Sequence, residues 1–213
     1  MTLHARRRAL VLLLTPMSGL AMSQTVIESA LADLQRYLAA AGNLILGAAS
    51  RADAIDPLAV PAAQRPAVSA ELRSVSSAIR RLRASNEILL MDLSSYVDGM
   101  RAKAFDEDRR SAAWRHVFRS VMAVSDVVRH TRQVALTSRW LDASLTDADR
   151  IELERTFEGR GLLLARLAQL SAPATPAEID EVDRVNFQYR RLVESMDRLN
   201  VAVAAAARRL VTT

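Results

Sequence analysis

TPAEIDEVDRVNFQYRRLVESMDRLNVAVAAAARRL (Thr175–Leu210) carries the strongest local fold signal in the chain. Thr175 is a cap, Pro176 takes the first helical position, and Glu178 completes a capping box. From there Ile179, Val182, Asn186, Tyr189, Val193, Met196, Asn200, Val203, Ala207 and Leu210 alternate at spacings of three and four. That is a heptad seam, the pattern of left-handed helix packing. Arg208 and Arg209 suit the negative end of the helix dipole.

The same pattern repeats upstream. No proline falls between Pro66 and Pro173, and such a stretch holds several long helices. A helix is predicted from about Pro66 to Ala104, with Leu72, Val75, Ile79, Leu82, Asn86, Leu89, Leu93, Tyr96 and Met100 as its seam. After a tight turn near Phe105, the acidic run Asp106, Glu107 and Asp108 opens another helix. Its seam is Trp114, Val117, Val121, Val124, Val128, Thr131 and Ala135, and it ends near Leu141. A further helix starts at Thr146, where Thr146 and Asp149 resemble a capping box. Ile151, Leu153, Phe157, Leu164, Leu167 and Ala168 mark its buried side, and Gly159 and Gly161 interrupt it.

The first helix is predicted over Thr25 to Ser50, with Ile27, Leu31, Leu34, Leu38, Ala41, Ile45 and Ala48 in heptad phase. Gly42 and Gly47 weaken its second half. Residues 51–65 form a linker with Pro57 and Pro61, apolar enough at Ile55, Leu58 and Val60 to lie on the bundle. Helices of about 35 residues are roughly 50 Å long, and short turns make consecutive ones antiparallel. The expected fold is all-α: an elongated up-and-down bundle of four long helices (66–213) plus an N-terminal fifth (24–50).

Half of the 213 residues are hydrophobic and only 4% are aromatic. Leu, Val, Ile and Ala therefore fill the core, which favours helix-on-helix packing. The chain has no cysteine. Disulfides, thiol nucleophiles and cysteine-held cofactors are excluded.

The first 23 residues read as a secretory signal peptide. Arg6, Arg7 and Arg8 precede an apolar run from Ala9 to Ala21, and Ala21-Met22-Ser23 places small residues before a cut ahead of Gln24. The competing readings are a plain cytoplasmic tail and a retained anchor, but for an anchor the run is shorter than the roughly 20 residues of a membrane span and contains Pro16. Without it, the domain is 24–213, periplasmic or secreted, with no integral membrane segment. The leader also explains the charge. Its three arginines belong to 29 basic residues in all; 26 remain against 24 acidic ones, a net of +2. So weak a field does not imply a nucleic-acid partner.

Candidate sites are few. The predicted mature chain holds only His116 and His130, neither preceded by Glu at three residues, so the di-iron bundle pattern is missing. They stand about 21 Å apart on one helix. A haem held by Met and His would draw on Met100, Met122 or Met196, but methionine is more often a core gap-filler. The sequence therefore predicts no metal and no cofactor. Hydrolase and nucleotide motifs are absent too, and an enzyme is not expected.

Two constellations stand out. Asn86, Asn186 and Asn200 occupy seam positions where Leu packs better. A buried amide needs hydrogen-bond partners, so they either fix register and helix partner or line a polar cavity. Second, if the chain folds back about residue 105, residue i lies level with 210 − i. Arg80 and Arg81 then meet His130 and Arg129, with Arg132 one turn away. Such a level suits a small anion, unless Glu154, Glu158 or Asp33 neutralises it. The expected role is non-enzymatic, binding or structural, through an unknown protein partner or self-association. The alternative is a sensor-like bundle that takes a small anion between helices.

Overall fold

The computed structural model describes residues 16–136, 151 and 170–212, with side chains described for 26–123, 151 and 170–212. These residues form four long α-helices and two single 3-10 turns, with no strand among them. We label the helices α1 (Pro16–Asp53), α2 (Arg65–Arg101), α3 (Glu107–Leu136) and α4 (Pro176–Thr212). The all-helical expectation is met. The helix predicted from Thr146 lies outside the described residues apart from Ile151, as do residues 1–15 of the expected leader. Of that predicted helix only Ile151 is described; it is helical and 53% exposed, which corrects its assignment to a buried side.

α4 packs against α1 and α2, and α3 packs against α2. Pairings give the directions. Ser69 donates to the Ala207 carbonyl, Ser76 to Asn200 and Ser94 to Asn186. One number rises as the other falls, so α2 and α4 are antiparallel. Arg101 at the end of α2 meets Asp180 and Asp183 at the start of α4. α1 runs parallel to α4, because Gln35 meets Glu181 and Arg209 reaches the carbonyls of Ala52 and Asp53. α3 folds back on α2, with Ser120 donating to Asp92 and the Trp114 ring tilted against Tyr96 at a centroid distance of 5.2 Å.

Apart from Met100 and Asn200, which are only partly buried, the predicted seams match the buried faces of α2 and α4. Val68, Val75, Leu82, Leu89 and Tyr96 are buried at strict seven-residue spacing, as are Val182, Tyr189, Met196, Val203 and Leu210. Two heptad stripes therefore face each other. α1 departs from the prediction. It begins at Pro16 and ends at Asp53, earlier and later than expected. Its heptad seam also fails after Leu38: Ala41, Ile45 and Ala48 are only partly buried, while Gly42, Ala49 and Ala52 are buried. The burial repeats every eleven residues (Ile27, Leu38, Ala49). A straight helix drifts about 20° per heptad against a seven-residue pattern, so the stripe moves to the next residue.

The connections follow local chemistry. In the linker, Asp56 caps the first 3-10 turn at Leu58 N, Val60 is buried, and Arg65 Nε donates to the Val60 carbonyl. Ile55 packs on the core, whereas Leu58 is exposed, contrary to expectation. Between α2 and α3, Lys103 takes φ 52° and Asp106 Oδ1 accepts from Arg109 N at 2.8 Å. The Phe105 ring lies over Gly99, so close that a Cβ there would sit 2.3 Å from it. At α4 the predicted capping box forms. Glu178 N donates to Thr175 Oγ1 at 3.3 Å, and Glu178 Oε2 accepts from the backbone N–H groups of Ala174 and Thr175, each at 2.8 Å.

Candidate functional site

The polar residues of the bundle gather along the α2–α4 seam. Ser69 Oγ donates to Ala207 O at 2.8 Å, Ser76 Oγ to Asn200 Oδ1 at 2.6 Å, and Asn186 Nδ2 to Ser94 Oγ at 3.1 Å. Tyr96 Oη closes the ladder with a 2.6 Å bond to the Pro173 carbonyl, which ties the approach to α4 against α2. Burial, with Glu178 adding a little, raises the Tyr96 phenol well above its usual range, against the opposing pull of Arg110. Two of the three asparagines singled out from sequence therefore have partners on the neighbouring helix. Asn200 is only partly buried, a correction to its core assignment; it stands at the edge of the seam, where Ser76 reaches it.

Asn86 differs. It is fully buried, donates from Nδ2 to the Leu82 carbonyl one turn back at 2.9 Å, and lies 3.9 Å from Met196 Sδ. Its Oδ1 is buried with no donor. An acceptor left so costs about 1–3 kcal/mol.

Ionic contacts flank the ladder. Arg83 joins Asp197 across the seam and Glu87 on its own helix, and Arg101 joins Asp183 at 2.9 Å. On the α2–α3 side, Asp92 accepts from Ser120 and lies 3.8 Å from His116 Nε2. No proton relay to a nucleophile forms here, because the carboxylate, not the imidazole, receives the serine.

The predicted cationic level is partly visible. The fold-back about residue 105 is correct, since the pair 96/114 obeys it and the pair 92/120 falls within two residues of it. Arg80 and Arg81 are exposed on α2, and Arg80 donates to Ser77 Oγ at 3.3 Å. The side chains of Arg129, His130 and Arg132 lie outside the described residues. Asp33, one of the expected neutralisers, pairs with Arg36 on its own helix.

A small crevice lies where all four helices converge, walled by Leu31 and Leu34 of α1, Leu93 of α2, Trp114 and Val117 of α3, and Tyr189 of α4. Its volume of about 10 Å³ is room for one water at most, and its walls are apolar. Among the described residues no three His, Cys, Asp or Glu side chains converge on a metal position. No described helix is long and apolar enough to cross a membrane.

Sequence reasoning missed Ser69, Ser76, Ser94 and the Tyr96 hydroxyl. Small polar residues leave no gap in a hydrophobic pattern, so only the asparagines announced the ladder. No family model, curated protein or solved structure matches the chain.

Proposed function

We propose that the chain is an exported helical-bundle protein of the periplasm with a non-enzymatic role, an interaction module that binds another protein or itself. The observation that carries this reading is the α2–α4 ladder. Asn186 and Asn200 hydrogen-bond to Ser94 and Ser76 on the facing helix, which suits residues that fix register and partner choice better than residues held open for a ligand. The N-terminal leader supplies the export half of the proposal.

The same reading makes the bundle up-and-down. Among the described helices α3 and α4 point the same way, which suits the further helix that the sequence predicts from Thr146. Expression in a bacterial host followed by fractionation tests export: the product recovered from the periplasm begins at Gln24. A full-length chain confined to the cytosol overturns it. A photo-cross-linker placed on the exposed α2 face, at Met91, tests the interaction role in the native host, where one stoichiometric adduct is expected.

The second reading, a small-anion site, rests on Arg81, whose guanidinium is exposed with no partner among the described residues. It requires the level shared by Arg80, Arg81, Arg129, His130 and Arg132. Titration of an acidic ligand against the Arg80→Ala/Arg129→Ala double variant decides it. Unchanged affinity removes the site.

A further inference from the structure

α4 carries a second stripe at seven-residue spacing, on the side away from its buried seam. Asp180, Phe187, Glu194, Val201 and Arg208 are all exposed. Phe187 is 58% exposed and Val201 65%. Phe187 and Val201 thus stand about 21 Å apart on one solvated helix face, in phase with a seven-residue repeat. Met91 of α2, itself exposed, falls level with Phe187, between the pairs 76/200 and 94/186.

The order of the stripe matters more than its composition. Read backwards, acid–apolar–Glu194–apolar–base becomes base–apolar–Glu194–apolar–acid. A copy of the same helix laid antiparallel about Glu194 therefore sets Asp180 against the partner copy's base at 208 and Phe187 against its valine at 201, and the same pairs recur on the other side of the axis. That is the condition for an isologous two-fold contact. Helix-dipole preference explains an acid near the start and a base near the end of α4. It does not explain apolar residues placed symmetrically between them. Glu194 on the axis meets its own copy, but Arg191 and Arg198, both exposed, lie within a turn on either side. Among the described residues, Arg208 has no side-chain partner, and Asp180 shares only the 3.3 Å contact with Arg101.

We infer that the outer face of α4 is a homodimer interface, closed by a second copy of this chain in antiparallel register about Glu194. This deepens the interaction reading by naming the partner, and it depends on that reading only for its biological setting.

The chain contains no cysteine, so single introduced cysteines report position cleanly. In full-length protein, Glu194→Cys should form a disulfide with its own copy under mild oxidation. Arg208→Cys alone should not, since its two copies stand about 42 Å apart along the axis. A mixture of Asp180→Cys and Arg208→Cys should cross-link. By sedimentation equilibrium, Phe187→Asp should weaken the dimer by roughly 30-fold or more, the scale of a central contact, with helicity unchanged. Asp180→Arg and Arg208→Asp should each weaken it, and together restore it. A monomer at all concentrations, or self-cross-linking of Arg208→Cys alone, overturns the inference. In that event a heterologous adduct at Met91 in an exported chain still leaves the broader function standing.

Discussion

Ser94 and Asn186 face each other across the α2–α4 seam and exchange hydrogen bonds, Nδ2 to Oγ at 3.1 Å and Oγ to Oδ1 at 3.3 Å. Each satisfies the other, and Asn186 is almost fully buried. The pair is therefore a register pin: a slip of α4 along α2 separates it and leaves two polar groups without partners. Ser76 and Asn200 repeat the device two heptads further along α4.

Asn186→Leu should destabilise the bundle by about 1–3 kcal/mol, because Ser94 is left with an unpaired hydroxyl. Adding Ser94→Ala should recover most of the loss, since neither polar group then remains. Urea unfolding of the two singles and the double closes the cycle. Additive effects would show that the bonds do not couple the helices.

Asn86→Leu is expected to go the other way. Asn86 is buried, its Oδ1 meets no donor, and its Nδ2 donates to Leu82 on its own helix and only weakly, at 3.9 Å, to Met196 Sδ across the seam. Leucine is close in volume and removes the unpartnered carbonyl, so a gain of about 1 kcal/mol should appear in the urea midpoint at unchanged slope. A loss instead would mean that Oδ1 has a donor, such as a buried water.

The difference between these two asparagines marks how far sequence could go. All three were legible as exceptions in an apolar stripe. The heptad seams of α2 and α4 were legible as well, because Val68 to Tyr96 and Val182 to Leu210 keep one period throughout. What an asparagine bonds to depends on the residue opposite, and that depends on register, which Ser76 and Ser94 supply without disturbing the pattern. α1 was misread after Leu38 for a related reason. Alanine and glycine fill its second half, so Ala41, Gly42, Ala48 and Ala49 give no contrast by which to choose the buried position. The cationic level was readable as a register statement, but its α3 side chains lie outside the described residues. The outer stripe of α4 went unread because Phe187 and Val201 look like scattered surface residues until burial assigns them to one exposed face.

Two glycines should respond in opposite senses to alanine. A Cβ on Gly42 would lie 3.7 Å from Ser195 Oγ, an ordinary contact. Gly42→Ala therefore gains helix propensity and should stabilise by about 0.5–1 kcal/mol. A Cβ on Gly99 would lie 2.3 Å from the Phe105 ring, which is held beside Tyr96 at a centroid distance of 6.3 Å. The ring must leave its place, so Gly99→Ala should cost about 1–3 kcal/mol despite the better helix former. Phe105→Leu in the Gly99→Ala background should relieve part of that cost. Thermal unfolding of the four proteins separates propensity from crowding, and a stabilised Gly99→Ala would show that the ring moves freely.

The tyrosines set a limit on alkaline stability. Burial raises the Tyr189 phenol far above its ordinary value, with a smaller push from Tyr37, and burial does the same at Tyr96. In the unfolded chain both titrate near pH 10. A group whose folded pKa lies above its unfolded one contributes stability in full below the unfolded value, and that contribution drains as pH climbs past it. Unfolding free energy should therefore be flat with respect to these two groups up to about pH 9 and fall steadily above about pH 10. Their phenolate absorbance should rise only with the loss of helical circular dichroism. Tyr189→Phe should blunt the fall by one group without changing stability at neutral pH by more than about 1 kcal/mol, because the ring keeps its packing. Ionisation of both phenols in a chain still fully helical would mean that water reaches them in the folded state.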